Sequence, residues 1–381
     1  MLQKITLTGF KSINKLMDFE LKPVNILIGA NGAGKSNFID FFRMLRAMMC
    51  FDIAELRNPS LAAFITNKGE MDNLVFNGPK ETQRISTELI FNNNKNAYRF
   101  DLDITATAGF LINNEACSYH KSDACKYGWK ELGSGHTKPL LLAQEQYERG
   151  EKTRYKYILD TIASWQIYHF HDTSQLAAVR MPGKMYDNKF FRFNAANLAA
   201  FLLALKEDLF AGGKDAYESI VETVKVIAPY FEDFILQTYN AGVEEKIKLQ
   251  WKQKNSSLPM QPYHLSDGTL RFICLATALL QPDPPELILV DEPELGLHPE
   301  ALAVLAELVE IASAKTQFIF ATQSPAFVDL FKARDIVTVK QKEGASYFER
   351  LNEDSLKSWV NNFSIGQLWR KNVIKGGVVH D

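Results

Sequence analysis

The chain has 381 residues, 46% of them hydrophobic, and its 43 lysines and arginines against 45 aspartates and glutamates give a formal charge of −2. That much apolar material excludes disorder and a disulfide-stapled mini-fold. Near-neutrality excludes a wholly basic nucleic-acid wrapper and leaves room for a local basic groove.

In chain order, the opening MLQKITLTGF alternates like a strand around Ile5 and Leu7, without the charged-then-apolar layout of a signal peptide. No run approaches the ~18 apolar residues of a membrane span. Cys50, Cys117, Cys125 and Cys274 are scattered, as expected of a reduced cytoplasmic protein. Cys117, His120 and Cys125 lack a CxxC knuckle, so loop residues without metal are the expectation there. Val24 to Ile28 reads as a strand covered on both faces, and Lys35 to Met49 as a helix with Phe38, Phe41, Phe42 and Leu45 along one side. Strands follow at Ile85–Phe91 and Tyr98–Ile104, with a third beginning at Gly109.

The middle changes character. Helical periodicity is found at Lys152–Ala163, Asn197–Glu207 and Asp215–Ile227, and a strand pair is expected from Phe231–Tyr239 with Ile247–Trp251. The last part alternates again: a helix from Thr269, a strand at Leu287–Val290, a helix from Pro299, then strands at Gln317–Ala321 and Ile336–Lys340 with a short helix from Pro325 between them. Strand–helix alternation at both ends predicts one interrupted α/β core, residues 1–115 with 262–350. A mixed, mainly helical lobe at 116–261 is inserted into it, and 351–381 forms a C-terminal extension.

Gly29 to Ser36 reads GANGAGKS and matches GxxxxGK[ST] in full, between an apolar strand and an amphipathic helix. Small residues let the backbone N–H groups of Asn31, Gly32, Ala33 and Gly34 curl around phosphates, and the helix start at Lys35–Asn37 adds partial positive charge. Lys35 then reaches the β and γ phosphates of ATP, and the Ser36 hydroxyl ligates Mg²⁺. Leu287 to Glu292 reads LILVDE. Asp291 at the strand's end suits the second contact to Mg²⁺, and Glu292 the general base for an attacking water; Glu294 is a weaker acid candidate. Leu265 to Arg271 reads LSDGTLR at a helix start, where Ser266, Asp267 and Gly268 offer a hydroxyl, a cap and free N–H groups.

In that order and spacing, these stretches resemble the phosphate loop, acidic strand and signature of ABC-type ATPases. GFKS, with Lys11 and Ser12, resembles the opening of the RecF, SMC and OLD branch, and adds both residues to the expected nucleotide contacts. ELGLHPEAL resembles the D-loop region. FIFATQSPAFVDLF resembles the switch region, with Gln323 where many relatives carry histidine. WQIYHFHDTS, NLAAFLLALK, VIAPYFEDF and IGQLWRKNVIKGG are similar to segments of stand-alone OLD/RecF-like ATPases of bacterial defence loci, here without a Toprim domain. The resemblance implies a RecF/SMC-like head that sandwiches two ATP·Mg²⁺ in a homodimer or higher oligomer, with Lys35 and Ser36 acting in cis and Ser266 and Gly268 in trans. Gln323 cannot share a proton as imidazole does, so slow hydrolysis is expected. The glutamine that couples nucleotide to insertion is unassigned between the Lys68–Leu74 stretch and Gln83.

Two further constellations are weaker. His169, His171 and Asp172 suit packing better than metal or phosphate, and Trp369, Arg370, Lys371 and Lys375 suit a solvated tail better than a phosphate contact. Three functions compete. The first is a sensor or scaffold controlling a separately encoded effector in antiphage defence. The second is a DNA-repair or chromosome-maintenance ATPase with nucleic acid across the dimer. The third, a transporter subunit, is disfavoured by the long insertion and by GFKS.

Overall fold

Strands that must be covered on both faces read as unbroken apolar runs, and three such runs organise the molecule. The computed structural model describes residues 1–49, 60–67, 69, 71–92, 95–105, 109–119, 128–144, 154–242, 244–360 and 362–374. Strands β1 (Leu2–Phe10) and β2 (Ile13–Glu20) form a hairpin, after which β3 (Val24–Ile28) crosses into a second sheet. Helices α1 (Lys35–Met49) and α2 (Leu61–Asn67) follow, then β4 (Arg84–Phe91), β5 (Asn96–Thr105), β6 (Gly109–Tyr119) and β7 (Lys130–Gly133). These complete a six-stranded antiparallel sheet in the order β2-β1-β4-β5-β6-β7.

Next come α3 (Leu140–Gln144), α4 (Arg154–Ser164), β8 (Gln166–Tyr168), β9 (Gly183–Lys184), α5 (Leu198–Lys206) and α6 (Gly213–Ile227). Five short strands, β10 (Phe231–Ile235), β11 (Thr238–Ala241), β12 (Glu244–Ile247), β13 (Gln250–Gln253) and β14 (Pro259–Met260), build two three-stranded sheets with β9. The expected single strand pair is thus two: β10 pairs with β13, whereas β11 folds back on β12 across Gly242, which holds a left-handed φ of 71°.

The chain then returns through α7 (Asp267–Leu280), β15 (Leu287–Asp291), α8 (Pro299–Ala312), β16 (Gln317–Thr322), α9 (Pro325–Val328), β17 (Ile336–Lys342), β18 (Ala345–Arg350), α10 (Glu353–Val360) and α11 (Ile365–Arg370). The second sheet has the order β18-β17-β3-β16-β15-β8 and is parallel from β17 to β8, with β18 as an antiparallel edge. Alternate residues of its strands feed two cores. Leu27, Leu289 and Ile319 pack with α1, α4 and the antiparallel sheet, while Ile26, Val290 and Phe320 pack with α5, α6, α7 and α8.

Residue 116 falls inside β6, and Gln166–Tyr168, assigned to the inserted lobe, forms the far edge of the parallel sheet beside β15. Three residues are too few for a periodic signal, and only pairing makes them a strand. No helix of the described residues is long and apolar enough to cross a membrane.

Candidate functional site

The fully buried strand β3 delivers the chain to Gly29 at the carboxyl end of the parallel sheet, where α/β folds place their ligand sites. Gly32 and Gly34 take left-handed φ values of 79° and 110°, which curl the loop, and α1 begins at Lys35. Asn31, Gly32 and Ser36 are exposed, whereas Ala33, Gly34 and Lys35 are buried. The Lys35 ammonium donates to the carbonyls of Gly29 (2.6 Å) and Ala30 (3.1 Å), leaving one of its three protons uncommitted to them. Burial lowers its pKa from the ordinary lysine value, opposed by the negative charges of Asp291, Glu292 and Glu294. Ser36 Oγ donates to Asp291 Oδ2 at 2.9 Å.

Asp291 ends β15, and Glu292 turns out of the sheet with a φ of 46° while its N–H bonds Ala321 O at 2.7 Å. This strained residue is held by the sheet register itself, which fixes where its carboxylate emerges. Gln323 Nε2 donates to Glu292 Oε1 at 2.6 Å. Glu294 Oε1 accepts from Thr322 Oγ1 (2.6 Å) and from the Gln323 N–H (3.1 Å), so it sets the start of the switch segment. Glu294 Oε2 is buried without a hydrogen-bond partner among the described residues. Glu294, the weaker acid candidate in the sequence, is marked out by these contacts to Thr322 and Gln323.

Lys11 and Ser12, expected at the nucleotide, are engaged behind the loop. Lys11 Nζ pairs with Asp40 Oδ2 of α1 at 2.6 Å, and Ser12 Oγ accepts from Asn37 Nδ2 at 2.7 Å. Of the two coupling candidates, Gln83 is exposed at the entrance to β4, while Lys68 and Glu70 lie outside the described residues.

Ser266 caps α7, accepting from the Thr269 N–H at 3.1 Å, and both Ser266 and Asp267 are exposed. Arg180 donates to Asp267 Oδ1 at 2.6 Å and to the Pro262 carbonyl. A Cβ on Gly268 would run into the Gly296 carbonyl, so this glycine permits backbone contact between signature and D-loop region. Arg271, 5% exposed, clamps three carbonyls: Phe170 O (2.8 Å), His171 O (3.0 Å) and Leu295 O. His171 Nε2 lies 2.8 Å from Asp291 O, and the rings of His169 and His171 are 4.3 Å apart. These histidines therefore brace the exit of β15. Asp172 caps a turn through the Ser174 N–H at 3.1 Å. No hydrogen bond among the described residues joins Ser266 or Gly268 to the loop around Lys35.

For a divalent cation, Ser36 and Asp291 present two hard oxygens side by side. That suits Mg²⁺, which keeps waters and phosphate oxygens for its remaining positions. Among the described residues, no three His, Cys, Asp or Glu are grouped to hold a metal by themselves. Cys117 is buried in β6; His120 and Cys125 lie outside the described residues. At the C-terminus, Arg370 and Lys371 are exposed, Lys371 Nζ stands 5.0 Å over the Phe363 ring, and Lys375 is outside the described residues.

Among solved structures, the chain is similar to an SMC head bound to the C-winged helix domain of ScpA, with a TM-score of 0.56 and 17% identity over 93% of this chain and 99% of that one. It is also similar to the Pyrococcus furiosus Smc head domain with an extended coiled coil, bound to the C-terminal domain of ScpA. There the TM-score is 0.52 and the identity 15%, over 94% of this chain and 98% of that one. The fold is therefore that of an SMC head. No curated protein matches the sequence. One family model spans residues 24–329, from the strand before the phosphate loop to the end of the switch helix, and by that match the chain belongs to the family described as "AAA domain, putative AbiEii toxin, Type IV TA system".

Proposed function

We propose that the chain binds ATP with Mg²⁺ at the Gly29–Ser36 loop, hydrolyses it slowly, and uses the bound state as a switch. The observation that carries this reading is the convergence of Lys35, Ser36, Asp291, Glu292 and Gln323 at one sheet end. Lys35 and the loop amides bind the β and γ phosphates, and Mg²⁺, held by Ser36 and Asp291, would neutralise charge between them. Glu292 accepts a proton from the water that attacks the γ-phosphorus. The bond to the bridging oxygen breaks, and ADP and phosphate leave. The Gln323 amide orients Glu292 but cannot take up and pass on a proton, so turnover is slow.

The exposed signature, which makes no hydrogen bond to its own phosphate loop among the described residues, supports a site completed by a second copy. The defence reading, in which the switch controls a separately encoded effector, rests on the toxin-system description of the family and on the segments similar to defence-locus ATPases. Both SMC heads named above carry a bound ScpA domain, which supports a head of this shape taking a protein partner. The competing DNA-repair reading requires nucleic-acid affinity that falls steeply with salt.

Glu292→Gln is expected to keep ATP affinity and lose about 10²–10⁴-fold in hydrolysis rate, and Lys35→Ala to lose ATP binding. Nucleotide titration and phosphate release check both. Wild-type hydrolysis by Glu292→Gln overturns the assignment. Co-purification of the native chain separates the readings: an effector protein supports the first, and DNA released by salt supports the second.

A further inference from the structure

The C-terminal hairpin touches the phosphate loop from behind at two points. A Cβ on Gly29 would meet the Val339 carbonyl of β17, and a Cβ on Gly34 would meet the Ser346 hydroxyl of β18 and, at 2.8 Å, that of Ser12. Ser346 is 2% exposed. Its Oγ lies 2.6 Å from Ala33 O and 2.7 Å from Ser12 Oγ, and its N–H donates to Ser12 O at 2.7 Å. A carbonyl only accepts, and Asn37 already donates to Ser12. Ser346 Oγ is the donor toward both oxygens, sharing its one proton between Ala33 O and Ser12 Oγ, and of the two only the Ala33 carbonyl has no proton to offer in return.

The peptide plane converts this anchor into an aim. In a trans peptide the C=O and the following N–H point in opposite directions, so a carbonyl of Ala33 drawn toward the hairpin turns the Gly34 N–H to the open side of the loop. Gly34, with its φ of 110°, is also the hinge that would let this peptide flip if it were not held.

We propose that Ser346 is a positioning residue for nucleotide binding: its hydroxyl pins the Ala33 carbonyl and so presents the Gly34 N–H to a phosphate. The proposal rests on the reading of this loop as an ATP site. It gives the hairpin 313 residues downstream of Ala33 a part in the affinity of that site.

The test measures MgATP affinity by titration calorimetry and steady-state hydrolysis on the full chain. Ser346→Ala is expected to weaken ATP binding and raise KM about tenfold, the size of one lost hydrogen bond, with kcat at saturating ATP within about twofold of wild type. A purely structural serine would not produce that split between KM and kcat. Wild-type affinity in a folded Ser346→Ala protein overturns the proposal and leaves the ATP reading intact. If Ser346→Ala does not fold, Ser346→Cys, near in size but a weak donor, is expected to lose affinity about fivefold, and an unchanged affinity there overturns the proposal equally. A folded wild-type chain that binds no ATP removes both readings together.

Discussion

Gln323 Nε2 donates to Glu292 at 2.6 Å and its backbone N–H to Glu294 at 3.1 Å, so two carboxylates fix this residue, one by its side chain and one by its backbone. The consequence is chemical. An amide that donates to one carboxylate oxygen leaves the other oxygen of Glu292 as proton acceptor. It adds no proton shuttle. Gln323→Ala is therefore expected to lower kcat by about 10–100-fold through a mispositioned base, while ATP affinity stays within about threefold, because the residue contributes nothing to the loop around Lys35. Rapid-quench single-turnover rates beside equilibrium titration check it. A loss confined to ATP affinity would show that Gln323 binds nucleotide rather than orienting the base.

At the scale of elements, α7 joins the signature to the rest of the head. Its N-terminal glycine abuts Gly296, Arg271 on its first turns clamps β8's exit and the D-loop region, and Cys274 is buried one turn further on. Burial pushes the Cys274 thiol from 9.0 up to about 12. Above pH 9 the unfolded chain releases this proton while the folded helix keeps it, so the folded state binds more protons and stability falls as pH rises from about 9 toward 12. Cys274→Ala is expected to flatten that fall by up to about 1.4 kcal/mol per pH unit. Urea unfolding at pH 9 and 10 checks it, since the buried Tyr168, raised to about 12 from 10.0, adds its own loss only from about pH 10. An unchanged slope would mean that the thiol ionises in the folded helix. What sequence revealed about such elements follows the same physics. The phosphate loop, the acidic strand end and Gln323 were legible because their chemistry is carried by residues close along the chain. Arg271 is only the last letter of LSDGTLR, and Ser346 and Arg180 carry no signal in the sequence. Their roles come from carbonyls and hydroxyls brought together by folding, and a lone serine or arginine looks the same whether it faces water or a loop.

For the whole molecule, the question is whether one head makes a complete site. Lys35, Ser36, Asp291 and Glu292 converge within the chain, whereas Ser266 caps α7 on an exposed surface with no hydrogen bond to them among the described residues. A two-fold dimer would repeat each contact, so each signature would close over the partner's loop and every interface would hold two composite sites. Ser266→Arg places a long cation on that surface at the cost of a helix cap, about 0.5–2 kcal/mol of stability. It is expected to keep ATP affinity within about twofold, because the chain's own loop is untouched, yet to lose nucleotide-driven dimerisation and at least about tenfold of the hydrolysis rate. Mixing it with Lys35→Ala restores one intact site per mixed dimer, with the loop from the first chain and the signature from the second. Light scattering follows association, and phosphate release from the mixture follows rescue. A Ser266→Arg chain that hydrolyses ATP at the wild-type rate, or two inactive chains that stay inactive when mixed although each folds, would mean that the head works alone.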